Sequence, residues 1–350
     1  MSPLSSPVHD PTSIFENFRG SYATELLTAA VEHLKLFDCL ADKPLTRDEL
    51  RARLGLAPRA FVVLTTALRA MNLIVACGNQ QLALSEMARE HLVPGGPFYV
   101  GDYIGLAGNS PGVLQMVSRL KTNQLTRAES SDTGAAFIFR EGLESAMESE
   151  ASARRLTLAL AGRAKNVAPV LAEKIPFGSE TLLDVGGGTG IYSIACLRRY
   201  PTLQAVVFDR PEVLKVAAEF AREYGVSDRL HCIPGDMFKD PLPSADVILL
   251  SNVLHDWDIP ECQKLVNKCA AVLPLKGRLL IHDVFLNDAL DGPLAVALYS
   301  ASLFSLTEGR AYSGLEYREW MTGSGLECSP IVPTLIHCGV LTGTKLNHSD

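Results

Sequence analysis

Thr181-Leu182-Leu183-Asp184-Val185-Gly186-Gly187-Gly188-Thr189-Gly190 decides how this chain folds. An apolar run carries an acid near its tip and then breaks into glycines, with Gly186, Gly188 and Gly190 at alternate positions. The pattern predicts a strand, a tight turn and a helix. Glycine suits such a turn because its backbone takes angles that a Cβ forbids and because a ligand can press against it. A nucleotide-type cofactor is the natural occupant of a turn that opens a helix N-terminus. The dinucleotide fingerprint G-x-G-x-x-G needs its third glycine at 191, where Ile191 stands instead.

Strand and helix alternate from Pro176 onward, which signals a parallel sheet. Strands are predicted near Thr181–Val185, Gln204–Asp209, Leu230–Pro234, Val247–Ser251 and Arg278–Val284. A closing pair is predicted near Glu327–Val332 and Leu335–Thr342. Helices should lie near Ile191–Arg198, Pro211–Tyr224, Pro260–Ala271 and Tyr317–Gly323. Upstream, helical segments are expected near Val113–Lys121, Ala135–Glu148 and Glu150–Lys174.

Before that the pattern changes. Met1–Pro11 is polar and Pro/Ser-rich and reads as a disordered tail. From Ser13 to about His91 apolar residues recur at three- and four-residue spacing. Thr46 and Glu49 form a capping box for a helix ending near Gly55, and a second helix follows over Pro58–Met71. Two short strands follow around Gly78-Asn79. Helix, helix and hairpin outline a winged helix. That fold binds DNA or serves dimerisation. Only Arg59 and Arg69 sit on the presumed recognition helix, so dimerisation is the better reading. The expected division is a tail over 1–11, a winged-helix-like dimerisation domain over 12–105 and a cofactor-binding domain over 106–350. The second domain begins with a helical segment over about 106–176.

The 350 residues suffice for two domains. A net charge of -7 argues against nucleic acid as the main partner, because phosphate binding needs concentrated Lys and Arg. No apolar run approaches the roughly 20 residues of a membrane span. The start lacks the basic and apolar stretches of a signal peptide. Eight scattered cysteines with no C-x-x-C suggest a reducing cytoplasm rather than a disulfide scaffold or zinc site.

The chemistry collects at the predicted strand tips. Asp209 lies about 20 residues past the glycine turn, where an acid accepts ribose hydroxyls. It equally suits capping of the helix at Pro211, and both roles can hold. The third strand ends in Gly235-Asp236-Met237-Phe238. Asp236 can bond an adenine amino group, and Met237 or Phe238 can cover its ring or simply pack in the core. The fourth strand runs into Ser251-Asn252-Val253-Leu254-His255-Asp256-Trp257, which places His255 on the same edge. Histidine titrates near neutrality and can take a proton from a hydroxyl.

Leu254-His255-Asp256-Trp257, with the glycine turn and Gly235-Asp236-Met237-Phe238, resembles the caffeic acid, acetylserotonin and hydroxyneurosporene O-methyltransferase family. The glycine spacing itself resembles motif I of class I S-adenosylmethionine-dependent methyltransferases. Phe208-Asp209-Arg210-Pro211-Glu212-Val213 and Phe238-Lys239-Asp240-Pro241-Leu242-Pro243 are also similar to the family's runs. The resemblance implies an α/β fold with a seven-stranded, mostly parallel Rossmann-like sheet. It implies a homodimer formed through the N-terminal domain. It also implies methyl transfer from S-adenosyl-L-methionine to a hydroxyl of a small, usually aromatic, metabolite. It assigns His255 as general base and Asp283 as the acid that orients it. Gly186, Asp209, Asp236 and Met237 match cofactor contacts, and Gly235, Phe238, Ser251 and Asn252 flank them at the same tips. Attack on a sulfonium methyl needs no metal, and none is expected.

Two departures bear on mechanism. The family often carries Lys or Arg shortly before the base, where Ser251 and Asn252 stand here, so no charge is expected there. It also often carries a second glutamate on the histidine, and Ala311 falls at that position. The loss leaves carbon methylation, or other chemistry on the same cofactor, as an alternative. A non-enzymatic winged-helix regulator that senses the cofactor is a rival from another class. Acceptor-lining candidates are the end of the long helix near Lys174, Tyr299–Phe304, Trp257, Met116 and Phe137–Phe139.

Overall fold

The computed structural model describes residues 4–78, 80–124 and 150–346. The expected helix Ala135–Glu148 and the candidates Phe137–Phe139 lie outside those residues. Contacts divide the chain into two units. One comprises Glu16–Thr133 with Leu286–Leu306, and the other Met1–Phe15, Gly134–Phe285 and Thr307–Asp350.

In the first unit the capping box forms. Glu49 N donates to Thr46 Oγ1 at 3.2 Å, and Thr46 N donates to the Glu49 carboxylate at 2.8 Å. The helix Arg47–Leu54 that it opens is closed by Gly55 at φ 64. Pro58–Ala70 follows with proline in its first turn. β1 (Leu45–Thr46), β2 (Ile74–Cys77) and β3 (Gln81–Leu84) make a three-stranded antiparallel sheet ordered β1-β3-β2. The preceding helical stretch is broken into Thr12–Arg19, a 3-10 turn, Ala23–Thr28 and a π turn over Ala29–His33.

Leu26, Phe37, Leu50, Leu64 and Leu68 form the centre of this unit's core. Val113, Met116 and Leu120 of the helix Pro111–Thr122 join it, so Met116 is a core residue rather than a pocket lining. Leu298, Ala301 and Phe304 join it too, from a helix over Leu294–Leu306. The division of the chain therefore differs from the expected one at 105. The unit takes in the Pro111–Thr122 helix and a second segment from far downstream. That second helix was not predicted because its residues are apolar all round and show no stripe. Tyr299 on it stacks under the Arg19 guanidinium at 3.8 Å.

The other unit holds the large sheet. β4 (Thr181–Val185), β5 (Gln204–Asp209), β6 (Leu230–Pro234), β7 (Val247–Ser251) and β8 (Arg278–Leu286) are parallel. β9 (Tyr312–Ser313) pairs with β8. β10 (Leu326–Cys328), β11 (Val332–Pro333) and β12 (Cys338–Lys345) complete the sheet, with β12 antiparallel to β8. The main path runs β10-β12-β8-β7-β4-β5-β6. That seven-stranded, largely parallel path is the expected one, and the short strands β9 and β11 lie off it.

The last strand starts later than expected. Ile336 and His337 both take φ 59, a left-handed turn that no strand accommodates. His337 thus lies in that turn and not in a strand. Leu4 and Phe15 pack against this unit's core, so the segment read as a tail over 1–11 is anchored by Leu4. The helix Glu150–Lys174 spans its predicted length and buries Val167, Ala168 and Leu171.

Candidate active site

The glycine turn, Asp209, Asp236, Ser251 and His255 lie at or just past the ends of parallel strands, and Asp283 lies within β8. Gly186, Gly188 and Gly190 take φ between 61 and 67, so the turn needs glycine at all three positions. A Cβ built on Gly188 would meet nothing within 4 Å, which leaves space over the turn. Gly188 N donates to Asp209 Oδ2 at 2.9 Å, and Arg210 N donates to Asp209 Oδ1 at 2.7 Å. Asp209 therefore ties the tip of β5 to the turn after β4. Burial pushes its carboxyl up, against the pull of those two amides. Asp184 is fully buried beneath the turn. Ser193 Oγ donates to its Oδ2 at 2.7 Å, Oδ1 has no hydrogen-bond partner, and burial raises the carboxyl to about 7.

At the tip of β6, a Cβ on Gly235 would run into the Phe208 ring. Asp236 Oδ1 accepts from Phe238 N at 2.8 Å and Lys239 N at 3.3 Å, so this acid folds its own turn. Met237 faces the glycine turn: its sulfur lies 3.9 Å from a Cβ built on Gly186. Phe238 packs edge-on against Trp257 with ring centroids 4.7 Å apart. Lys268 Nζ donates to the carbonyls of Met237 and Asp240 and staples the loop to the helix Ile259–Val272.

Ser251 ends β7 and Asn252 follows it. Ser251 Oγ is bonded to His282 Nδ1 at 2.8 Å. His282 is also bonded to Thr334 Oγ1 at 3.2 Å and packs on the Tyr192 ring. Burial, then the nearby Arg163 charge, push its imidazole down to about 3. Asn252 Oδ1 accepts from Arg163 at 2.6 Å. The expectation of no charge beside these two residues is thereby overturned. A guanidinium reaches them from the long helix, out of sight of local sequence.

His255 is 4% exposed, and its Nδ1 lies 2.6 Å from Asp283 Oδ1. Val284 N donates to the same oxygen at 2.8 Å, and Tyr317 Oη donates to Oδ2 at 3.1 Å. Tyr317 escaped sequence reading because it lies on a helix (Gly314–Gly323) far from the base in sequence. Burial works against a charged His255, but the charges of Asp283 and Asp256 outweigh it and raise the imidazole. Burial likewise opposes ionisation of Asp283, and His255 with Val284 N holds it low. Asp256 Oδ1 stands 3.7 Å from His255 Nε2, its carboxyl raised by burial to about 6. Ala311 is fully buried and brings no carboxylate to the base. Gly309 packs on the base loop so closely that a Cβ there would sit 2.6 Å from Trp257 N and collide with the His255 carbonyl.

The donor set fits an adenosyl amino acid: a glycine turn with open space, the half-buried carboxylates of Asp209 and Asp236 at and just past the ends of the two strands beside it, and an apolar Met237-Phe238 pair. Among the described residues, no three His, Cys, Asp or Glu side chains gather as they would around a metal ion.

A family model described as an O-methyltransferase domain matches residues 147–327. The 3-hydroxy-5-methyl-1-naphthoate 3-O-methyltransferase of Streptomyces sahachiroi is 32% identical over 325 residues, covering 92% of this chain and 90% of that protein. This chain belongs to the O-methyltransferase family. Acetylserotonin O-methyltransferase of Bos taurus, another member, is 30% identical, with 89% of this chain and 90% of that protein covered. A solved O-methyltransferase family 2 structure from Planctomyces limnophilus, a complex with apigenin, is 49% identical. It covers 99% of both chains with a TM-score of 0.89. Family membership makes the chain an O-methyltransferase and leaves the regulator without support.

Proposed function

We propose that this enzyme uses S-adenosyl-L-methionine to methylate a hydroxyl of a small, hydrophobic, phenolic acceptor, with His255 as general base and Asp283 orienting it. The observation that carries this reading is the buried His255–Asp283 pair at 2.6 Å on the strand edge that bears the glycine turn. With Asp283 ionised, Nδ1 keeps the proton and donates it, so Nε2 is the acceptor. It takes the hydroxyl proton as the oxygen becomes a nucleophile. The cation that results lies against Asp283 and near Asp256. Bound S-adenosylmethionine supplies a methyl on a sulfonium leaving group. Asp209 would hold the ribose, and Met237 and Phe238 would cover the base. Asp236 would present the carboxylate oxygen not spent on its own turn. The chain's own part is alignment and exclusion of water.

A phenolic acceptor is supported by the apigenin bound to the 49% identical structure and by the hydroxynaphthoate in the name of the Streptomyces relative. Oxygen is favoured over carbon because an oriented base is present to deprotonate a hydroxyl. Dimerisation through the winged-helix-like unit is supported by apolar side chains that it leaves outside, among them Phe98, Tyr103 and Leu106. The acidic balance of the chain speaks against nucleic acid as a partner. No described helix is long and apolar enough to cross a membrane. Eight cysteines, none of them in a disulfide, suit a reducing, cytoplasmic setting.

Calorimetric titration with S-adenosylmethionine, S-adenosylhomocysteine and NADH is the test, followed by turnover with apigenin. Micromolar binding of the two sulfur compounds, no binding of NADH and a methylated flavone are expected. Failure of both sulfur compounds to bind would overturn the reading.

A further inference from the structure

Arg163 belongs to the helix Glu150–Lys174, yet its guanidinium turns to the strand edge. One terminal nitrogen donates to Asn252 Oδ1 at 2.6 Å, and the other to Cys338 Sγ at 2.9 Å. Asn252 takes a left-handed φ of 56. Its amide nitrogen donates to Tyr192 Oη at 3.3 Å and Ser251 Oγ at 3.0 Å. Tyr192 is the second residue of the helix that leaves the glycine turn. Asn252 opens the loop that carries His255. One amide thus links the helix that follows the turn proposed to hold the cofactor with the loop that holds the base, and Arg163 grips that amide.

We propose that Arg163 is a positioning residue for methyl transfer: by fixing Asn252 it sets the spacing between the glycine turn and His255, and it brings to the start of the base loop the positive charge that Ser251 and Asn252 lack. The proposal rests on the methyltransferase reading above. A planar guanidinium with two directed donors holds one geometry better than a lysine does. A misplacement of about 1 Å between reacting groups is worth about a hundredfold in rate. The charge matters as well. Asp283 at Nδ1 and Asp256 near Nε2 both favour the imidazolium, and Tyr317 acts through the other oxygen of Asp283. Arg163 opposes them and keeps more of His255 in the neutral form that accepts a proton.

The full-length variants Arg163→Met, Arg163→Lys and Asn252→Ala test this. For each, kcat and the KM for S-adenosylmethionine are measured with apigenin across about pH 5 to 9, alongside the melting temperature. Arg163→Met should lose about tenfold in kcat near neutrality, and its acid limb should move to higher pH, so that activity recovers towards alkaline pH. Arg163→Lys keeps the charge, so its limb stays put while kcat falls. Asn252→Ala breaks the bridge alone and should lose kcat with the limb unmoved. A folded Arg163→Met protein with wild-type kcat and an unmoved limb overturns the proposal. So does a loss that is uniform over pH and matched by a fall in melting temperature. If Arg163→Met does not fold, wild-type kcat in Asn252→Ala overturns it instead. Wild-type protein that binds no S-adenosylmethionine sinks the methyltransferase reading, whereas variants that match an active wild type sink only this one.

Discussion

His255 is a base whose environment is nearly closed. With Nδ1 committed to Asp283, replacing either partner separates two consequences. His255→Ala should lower kcat by about 10²- to 10⁴-fold while cofactor affinity, measured by calorimetry, stays near wild type. Asp283→Asn should approach the same loss, because an amide can hold the wrong imidazole tautomer. Retention of nearly full turnover by the alanine variant would remove His255 from the mechanism. The pH profile follows from the direction of the shift. His255 is raised above its ordinary 6.5, so the neutral, proton-accepting form is reached only above that value. The acid limb of kcat should therefore lie on the alkaline side of 6.5, and a limb below it would contradict the charge balance. His255 was visible in the sequence as a titratable residue just past a predicted strand tip, and Asp283 only through the family resemblance. Arg163 and Tyr317 were not, because each reaches the site from a helix and looks locally like any helical residue.

At the scale of elements, the glycine turn rests on a carboxyl that the fold prefers uncharged. Asp184 titrates at about 7 in the fold against an ordinary 3.8. It binds a proton more tightly when folded, so its ionisation lowers stability as pH climbs from about 4 to about 7. Asp256, at about 6, adds the same sign over a narrower window. Asp283 has the opposite sign, and its contribution is lost as pH falls through its lowered value. Urea unfolding at several pH values should show Asp184→Asn with a flatter slope than wild type between pH 4 and 7, since Asn keeps the Ser193 bond without the charge. Equal slopes would mean that Asp184 is solvated more than its burial implies. The parallel strands were readable almost to the residue, because strands covered on both faces are short apolar runs that end in turn residues. The Leu294–Leu306 helix was not, because a helix buried all round has no polar side to set a phase. Phe304 shows what that burial is worth: Phe304→Ala should cost about 3–5 kcal/mol in chemical denaturation, through lost transfer energy and the cavity left behind.

For the whole molecule, the dimer proposed above draws on exposed apolar side chains of the first unit. Tyr103 and Leu106 are 78% and 81% exposed, and Phe98 lies nearby in sequence. Changing Tyr103 and Leu106 together to glutamate should convert a dimer to monomers in sedimentation velocity, with the circular dichroism spectrum unchanged. A wild-type monomer at micromolar concentration would reject dimerisation through this face. The two-part organisation was legible in outline, from the shift between a helical start and a strand–helix alternation. Its true seam was not, because long-range return of a segment leaves no local mark.

The return of Leu286–Leu306 to the first unit has a practical meaning for exchange between relatives. No single cut separates the two halves, since any cut strands either the Leu294–Leu306 helix or the strands that follow it. A graft of the first unit from one relative to another must carry two pieces of chain inserted at different places. By the same reasoning, changes selected in that helix travel with the far end of the gene while their packing partners, such as Leu64 and Leu68, travel with the near end.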